Sequence, residues 1–223
     1  TIYNYAWKTG RMTKKIKVRA TASVANVSCG FDCLGYAIGD PADILTINLK
    51  DSPGVNITLS GSKADTITTV AKYNTAGKAI LSLLNSLEIN QGFNVHIEKG
   101  VPPGSGLGSS AASAAAAVVG VNELLGNPLK LDELLVHGMA GEAVASGEFH
   151  ADNIAPALFG GMILIRSYDP LDILQLPVPE NLFSTAVLPD FSVNTKDARR
   201  MLPKRVPLKS AVEQAGHLAG FTL

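Results

Sequence analysis

The chain has 223 residues, of which 46% are hydrophobic and 17% are charged, a composition typical of a folded globular protein rather than a disordered one. Its 19 basic and 19 acidic residues give a formal net charge of zero, so we expect neither nucleic acid nor a membrane surface as a partner. No apolar run reaches the roughly 18 residues that a membrane-spanning helix needs. The two cysteines, Cys29 and Cys33, are expected to be reduced thiols, which favours a cytoplasmic location.

The hydrophobic pattern predicts strands mixed with helices along the chain. Met12 precedes the alternating run 16–20 and is typical of a natural start, so residues 1–11 are interpreted as a leader segment. Strands are predicted at 16–20, 43–50, 55–60, 93–98, 160–165 and 184–189, and helices at 74–87, about 109–125 and 132–146, the last capped by Asp132. A proline-rich stretch after residue 166 predicts a first domain over 12–166 and a small second domain over 167–223.

The stretch 99–112 carries the strongest chemical signal, because glycines and serines stand between a predicted strand and a predicted helix. Gly104, Gly106 and Gly108 permit positive φ angles and let a ligand approach the backbone closely. The helix that follows would present unpaired N–H groups and a positive dipole end to an anion. The stretch therefore predicts a phosphate-binding loop, although it matches neither the Walker A pattern nor the dinucleotide G-x-G-x-x-G pattern. A flexible glycine-serine turn is the alternative.

Glu142 is the second feature, because it falls on the apolar side of its predicted helix. It lies seven residues after Leu135 and eight after Leu134, so it points with the leucines. A buried carboxylate is costly unless a cation or hydrogen bonds compensate for its charge. Mg²⁺ would suit it, since this ion takes hard oxygen ligands and bridges phosphates. A structural ion pair is an equally good interpretation of the spacing.

Three further stretches place polar residues close together. The stretch 149–156 combines His150, Asp152 and Asn153, which supply donors, acceptors and a base within a few residues. The stretch 25–35 has Asn26 and Asp32 in an otherwise small or apolar turn, and 194–200 offers the planar guanidinium of Arg199 to a carboxylate or phosphate. Each has a plainer alternative: a loop held by local hydrogen bonds, an ordinary turn, and a solvated basic surface.

Residues 102–112 resemble the second motif of the GHMP kinase superfamily, and the stretches 24–35, 149–157 and 195–203 resemble homoserine kinases within it. The resemblance implies an α+β fold of two domains: an N-terminal domain similar to domain 2 of ribosomal protein S5, and the beginning of a ferredoxin-like C-terminal domain. It also implies transfer of the ATP γ-phosphoryl group to the side-chain hydroxyl of L-homoserine, with Mg²⁺ as cofactor. The product would be O-phospho-L-homoserine, on the route to threonine.

The resemblance implies a role for each matching residue. The nucleotide would be bound by Asn74, Pro102, Pro103, Gly104, Ser105, Gly106, Leu107, Gly108, Ser109 and Ser110, with Mg²⁺ on Ser110 and Glu142. The substrate would be bound by Asn26, Asp32, His150, Asn153 and Arg199, where Asp32 takes the ammonium and Arg199 the carboxylate. The catalytic residues would be Asn153, Asp152, Glu142 and Lys99. Asp152 is the candidate general base, but the family chemistry also permits transfer by positioning alone.

The sequence departs from the superfamily pattern at its C-terminal end. The third glycine-rich motif, G-x-x-x-S-G-x-G-P, is absent up to Leu223, and so is a second substrate-binding arginine. We therefore expect this chain to be a fragment with little activity of its own. The remaining alternatives are another GHMP kinase or a decarboxylase, a non-catalytic nucleotide-binding relative, and an RNA-binding module, which the neutral charge disfavours. A homodimer is a further expectation.

Overall fold

A mixed sheet of seven strands carries the four helices between residues 75 and 159 on one face. The computed structural model describes residues 3–5, 15–187 and 195–222. The strands are β1 (Tyr3–Tyr5), β2 (Lys15–Ala25), β3 (Leu34–Lys50), β4 (Val55–Gly61), β5 (Gly92–Lys99), β6 (Met162–Tyr168) and β7 (Leu171–Leu176). The helices are α1 (Thr75–Ser86), α2 (Ser109–Leu124), α3 (Leu131–Ser146), α4 (Ile154–Phe159), α5 (Thr195–Arg200) and α6 (Leu208–Phe221). This arrangement confirms the α+β class.

The strand order is β1-β2-β3-β5-β4, and β6 joins the sheet through the first residues of β3. All pairs are antiparallel except β4 and β5, which α1 connects. Parallel strands need such a crossover, because a tight turn can join only antiparallel neighbours. Gly61 and Lys99 pair at the carboxyl ends of the two parallel strands. The glycine loop begins directly after Lys99, so the sheet fixes the point from which the loop starts.

Side-chain alternation explains why only one face of the sheet is covered. Along β5, Phe93, Val95 and Ile97 are buried against the helices. The intervening His96 lies on the open face, where its ring nitrogens contact Thr58 Oγ1 at 2.9 Å and Ser60 Oγ at 3.1 Å. This period of two is the pattern of a half-buried strand, and it confirms the sequence prediction for this strand.

Helix α2 packs directly on the sheet, and α3 packs over α1 and α2. Nearly all of α2 is buried, which its run of alanines permits because small side chains let a helix lie close to a sheet. At Gly120 an added Cβ would lie 2.7 Å from Ile47 Cδ1 and 3.0 Å from Val18 Cγ2. The position of α2 is therefore set by steric contact along its length.

Several sequence predictions are confirmed with small changes of boundary. The predicted strand 55–60 is β4, the helix 74–87 is α1, and the helix near 109–125 is α2. Asn74 is the N-cap of α1, because its Oδ1 accepts the Gly77 N–H at 3.2 Å. Among the described residues, no helix is long and apolar enough to cross a membrane.

Other predictions were wrong in detail. Strand β3 begins at Leu34, nine residues before the predicted start at Asp43, because its first part pairs with β2 and β6 rather than showing hydrophobic alternation. Asp132 is not the cap of α3; Lys130 is, and its N–H donates to Glu133 Oε2 at 2.7 Å.

The C-terminal part also differs from the prediction. Residues 184–187 form no strand, and the rest of the predicted strand 184–189 lies outside the described residues, as does Asn194. The sequence analysis did not predict β7, the second strand of the β6–β7 hairpin, because polar residues interrupt its apolar ones. The boundary proposed after residue 166 falls inside β6, and the sheet continues into β7. The division into domains stays a prediction.

We predict that Gly141→Ala destabilises the protein. An added Cβ at Gly141 would overlap the Thr75 carbonyl oxygen of α1 and lie 2.9 Å from Ala79 Cβ and 3.1 Å from Ala114 Cβ. Overpacking of this kind costs about 2 kcal/mol. Urea unfolding followed by circular dichroism measures the change.

Gly216→Ala is the matched control, because it is the same substitution in a helix. Beyond the backbone of its own helix, no atom of the described residues lies within 4 Å of an added Cβ at Gly216, so the free energy of unfolding should change by less than about 1 kcal/mol. Equal stabilities of the two variants would contradict the close packing of α3 on α1.

Candidate active site

A cavity of about 440 Å³ lies beside the glycine loop and collects most of the residues that the sequence singled out. Its lining includes Asn26, Asn74, Lys99, Pro103, Gly104, Ser105, Gly106, Gly108, Ser109, Ser110, Glu142, His150, Asp152, Asn153 and Arg199. Six separated parts of the chain thus meet in one place. Of the predicted residues, Asp32, Pro102 and Leu107 lie outside this lining.

The glycine loop has the conformation that its glycines were expected to allow. Gly104 and Gly106 have φ of 74°, and Gly108 has φ of 63°, all in the left-handed region that favours glycine. A Cβ at Gly108 would overlap Ser23 Oγ and lie 2.9 Å from Asn153 Oδ1. The last glycine is therefore required by close contact as well as by its backbone angle.

Leu107 anchors this loop from outside the cavity. Its carbonyl accepts the Ser23 N–H at 3.1 Å, and its side chain packs against the hydrophobic core. The Leu107 side chain lies outside the cavity lining, because an apolar group is more stable against the core than in an open cavity. Its expected place beside the nucleotide stays a prediction.

The N-terminal end of α2 points into the cavity. Gly108 is the N-cap and has no side chain to occupy the first N–H groups of the helix, which have no partner within the helix. Ser109 Oγ donates to the Val101 carbonyl at 2.7 Å, and Ser110 Oγ donates to Glu142 Oε1 at 2.9 Å. Free N–H groups and a positive dipole end form a site that favours an anion.

Glu142 is buried, with 8% of its surface exposed, and lines the cavity. Burial raises the pKa of Glu142, while the hydrogen bond from Ser110 lowers it and the nearby charge of Asp152 raises it further. Ser110 and Glu142 thus place two oxygen atoms side by side at the helix end. Among the described residues no group of three or more His, Cys, Asp or Glu side chains could hold a metal. Mg²⁺ usually takes only one or two protein oxygens and completes its shell with phosphates and water, so the pair fits that ion.

Arg199 lines the cavity and forms an ion pair with Asp32, which lies outside the lining. Arg199 Nη1 donates to Asp32 Oδ2 at 2.9 Å and Nη2 donates to Oδ1 at 2.5 Å. The guanidinium also lies over the Phe31 ring, 5.4 Å from its centroid. Hydrogen bonding to Asp32 raises the pKa of Arg199. The two residues assigned to opposite charges of one substrate therefore neutralise each other in this structure.

The turn before β3 holds Asp32 in place. Asn26 Oδ1 accepts the Asp32 N–H at 2.9 Å, and Asn26, Ser28 and Asp32 all have positive φ, which is uncommon for residues other than glycine. Tyr168 adds a second tie, because its hydroxyl donates to the Asp32 carbonyl at 2.8 Å. Burial raises the pKa of Tyr168 to about 12, so this hydroxyl stays a donor across the neutral range.

Asp152, Asn153 and His150 also line the cavity. Asn153 Oδ1 accepts the Ser23 hydroxyl at 2.9 Å, and His150 Nε2 lies 2.9 Å from Glu148 Oε2. Asp152 is only 3% exposed. Burial and the neighbouring charge of Asp32 raise the pKa of Asp152, which His150 and Arg199 partly oppose.

Sequence reasoning missed the wall formed between β4 and α1. Leu59, Thr66, Ile67, Thr68, Tyr73 and Thr75 line the cavity there. Two short 3₁₀ turns, Ala64–Thr66 and Ala71–Tyr73, bring this segment over the cavity, and Asn74 Nδ2 donates to the Thr68 carbonyl at 2.8 Å. No motif marks the segment; its place directly before a helix N-cap was the only signal.

The comparisons with known proteins identify the family of the chain. Residues 74–161 match the family described as "GHMP kinases N terminal domain". The homoserine kinase of Methanococcus vannielii is 45% identical over 208 residues, which cover 93% of this chain and 68% of that protein. The chain belongs to the homoserine kinase family. It spans about two thirds of the length of that relative.

Solved structures give the same result for the fold. The crystal structure of homoserine kinase from Cytophaga hutchinsonii is 47% identical, with a TM-score of 0.90 over 97% of this chain and 69% of that one. The mevalonate kinase of Methanococcus jannaschii is 18% identical with a TM-score of 0.58 over 77% of this chain and 57% of that one, which shows a shared fold only. The predicted GHMP kinase fold is therefore confirmed.

We predict that Asp152→Asn changes how the stability of the ligand-free protein depends on pH. Because the pKa of Asp152 is raised in the folded state, the stability that this group contributes is full below the ordinary pKa of an aspartate. It is lost as the pH rises through the raised value. Asparagine does not titrate, so the variant should lose less stability on going from acid to neutral pH. Thermal unfolding from about pH 4 to pH 8 measures this difference.

Asp51→Asn serves as the matched control, because Asp51 is exposed. That variant should follow the wild-type pH dependence. If Asp152→Asn also followed the wild-type pH dependence, Asp152 would not be the buried carboxyl with a raised pKa described above.

Proposed function

We propose that the protein transfers the γ-phosphoryl group of ATP to the side-chain hydroxyl of L-homoserine, giving ADP and O-phospho-L-homoserine. The observation that carries the proposal is the layout of the cavity beside the glycine loop. An anion-binding helix end with its buried acid lines this cavity, and so does Arg199, which forms an ion pair with Asp32 outside the lining. An amino acid with a hydroxyl group between these two sites suits that layout.

The nucleotide is assigned to the glycine loop and the wall beside α1. The loop 102–110 surrounds the triphosphate, whose charge the N–H groups of α2 and the helix dipole stabilise. Asn74 and the residues between β4 and α1 border the adenine in this proposal, because they form the wall farther along the same cavity. Phosphoryl transfer depends mainly on positioning and on stabilising charge, and this arrangement supplies both.

Mg²⁺ would be held by Ser110 and Glu142. When bound, it neutralises charge on the phosphate oxygens of the transferred group. The Ser110 hydroxyl already contacts Glu142 Oε1 at 2.9 Å, so the two ligands are oriented together before any ion binds. The arrangement has an energetic cost, because the Glu142 carboxyl group stays buried, with 8% of the residue exposed.

The substrate is assigned to the opposite side of the cavity. Asp32 takes the ammonium, Arg199 takes the carboxylate, and Asn26, His150 and Asn153 border the side chain. In the transfer step the substrate oxygen forms a bond to the γ-phosphorus, the bond from that phosphorus to the β-phosphate oxygen breaks, and the hydroxyl proton leaves. Asp152 is the candidate acceptor of this proton, since its raised pKa brings it nearer to neutral pH.

The location proposed for the enzyme is the cytoplasm. Cys29 and Cys33 are both free thiols in the structure, which suits a reducing compartment. The homodimer stays a prediction.

A substrate panel tests the reaction. Release of ADP by the full-length protein, coupled to NADH oxidation, should be fastest with L-homoserine and slow with L-serine, L-threonine or mevalonate. Faster turnover of mevalonate would favour another small-molecule kinase of the superfamily. ATP-analogue binding with no turnover of any of these would favour a non-catalytic relative.

We predict that both charges of the substrate are required together. Binding must break the Asp32–Arg199 ion pair. A ligand with only one charge leaves Arg199 with only the more distant Glu148 at 3.4 Å, or Asp32 with only His150 at 3.7 Å. Relative to L-homoserine, 4-hydroxybutanoate lacks the ammonium and 3-aminopropan-1-ol lacks the carboxylate. Each should show kcat/KM lower by about 100-fold, or about 2.7 kcal/mol.

A pair of variants on α5 controls this measurement. Arg199→Met should raise KM for homoserine and leave KM for ATP unchanged, whereas Arg200→Met on the exposed side of α5 should alter neither. Similar kcat/KM values for homoserine and either singly charged analogue would contradict the assignment of these charges.

A further inference from the structure

Asp43 lies at the centre of a buried network behind the glycine loop. Its side chain in β3 is fully buried and accepts four hydrogen bonds. Two come from the backbone, the N–H groups of Gly100 at 3.1 Å and Val101 at 3.0 Å. The other two come from Ser113 Oγ at 2.6 Å and from Lys99 Nζ. Four donors satisfy a carboxylate that would otherwise be very costly to bury.

Lys99 completes the network from the other side. Its Nζ donates to Asp43 Oδ2, to the Ser109 carbonyl at 2.9 Å and to Ser113 Oγ at 2.9 Å. An ammonium group has three protons, so these partners occupy all of them. The side chain of Lys99 is only 2% exposed. Its donors are therefore committed to the protein, although the residue borders the cavity.

The network joins the two ends of the glycine loop. Lys99, Gly100 and Val101 form the exit from β5, whereas Ser109 and Ser113 belong to the first turns of α2. A second tie runs directly between the ends, because Ser109 Oγ donates to the Val101 carbonyl at 2.7 Å. Asp43 thus connects the two ends of the seven-residue segment 102–108. It does so from outside the cavity lining.

We propose that Asp43, Lys99 and Ser113 form a clamp that positions the phosphate-binding loop, and that Lys99 is a positioning residue rather than a ligand of the phosphates. The inference rests on the proposed nucleotide site for the identity of the ligand. The clamp holds the β5 exit and the start of α2 at a fixed separation, so the N–H groups of the loop are aligned before a nucleotide binds. Preorganised donors of this kind bind an anion without the cost of ordering the loop.

The clamp makes a prediction that a direct phosphate contact does not. Removing either charge leaves the other one buried and uncompensated, so Asp43→Asn and Lys99→Met should each disturb the loop. Removing both should be no worse than the more harmful single change. A lysine that contacts phosphate directly would instead give a loss that is independent of Asp43, and the two losses would add.

The experiment measures binding and loop motion in the full-length protein. Isothermal titration calorimetry with a non-hydrolysable ATP analogue and Mg²⁺ gives Kd, and hydrogen exchange without nucleotide reports on the amides of 104–110. We expect each single variant to weaken analogue binding by about tenfold and to speed exchange in the loop, with the double variant no weaker than the weaker single variant. Asp172→Asn, which removes an exposed ion pair with Arg166 on the β6–β7 hairpin, is the matched control and should leave both unchanged.

Two results would overturn the clamp. One is wild-type loop exchange and wild-type Kd in Asp43→Asn. The other is a loss in Lys99→Met without faster loop exchange, with a double variant whose loss is the product of both single losses. If a charge variant does not fold, Ser113→Ala decides, because it removes one hydroxyl from the network; we expect faster loop exchange, and unchanged exchange overturns the proposal.

The readouts separate this inference from the proposed function. Wild-type protein that does not bind the ATP analogue would contradict the proposed function. The exchange measurement needs no nucleotide, so it would still test whether Asp43 and Lys99 hold the loop.

Discussion

The burial of α2 against the sheet is the constraint on which the site depends. Alanines and Gly120 let this helix lie so close to β2 and β3 that it has little freedom to shift along its axis. Its N-terminal end is therefore fixed in space, and with it Ser110 and the last glycine of the loop. Helix α3 packs on α2 in turn, with Gly141 at the contact, which brings Glu142 to the same point. A packing requirement thus becomes the geometry of an anion and metal site.

The charges of the site follow a consistent arrangement. Opposite charges pair where they are buried, as Asp43 does with Lys99 behind the loop, and again where substrate is assigned, as Asp32 does with Arg199. The first pair is almost inaccessible to solvent and has its hydrogen bonds satisfied by the protein, so it suits a structural role. The second pair is about one-fifth exposed and lies at the cavity, so a ligand with both charges can replace it. Location, rather than residue type, separates the two roles.

Much of this architecture could be predicted from the sequence because the signals are local. The alternation in β5, the run of alanines in α2 and the position of Glu142 on an apolar stripe each depend on residues a few positions apart. The missed features depend on distant contacts. Asp43 and Lys99 are 56 residues apart, and Asp32 and Arg199 are 167 apart, so no spacing rule could pair them. Strand β3 was predicted too short for the same reason, since β6 supplies the partner of its first residues.

The most direct test of the account is a crystal structure of the full-length protein with Mg²⁺, a non-hydrolysable ATP analogue and L-homoserine. The account predicts the phosphates against the N–H groups at the start of α2, the metal between Ser110 Oγ and the Glu142 carboxylate, and the amino acid in place of the contact between Asp32 and Arg199. Phosphates bound away from the glycine loop, or a Glu142 side chain turned to bulk solvent, would contradict it.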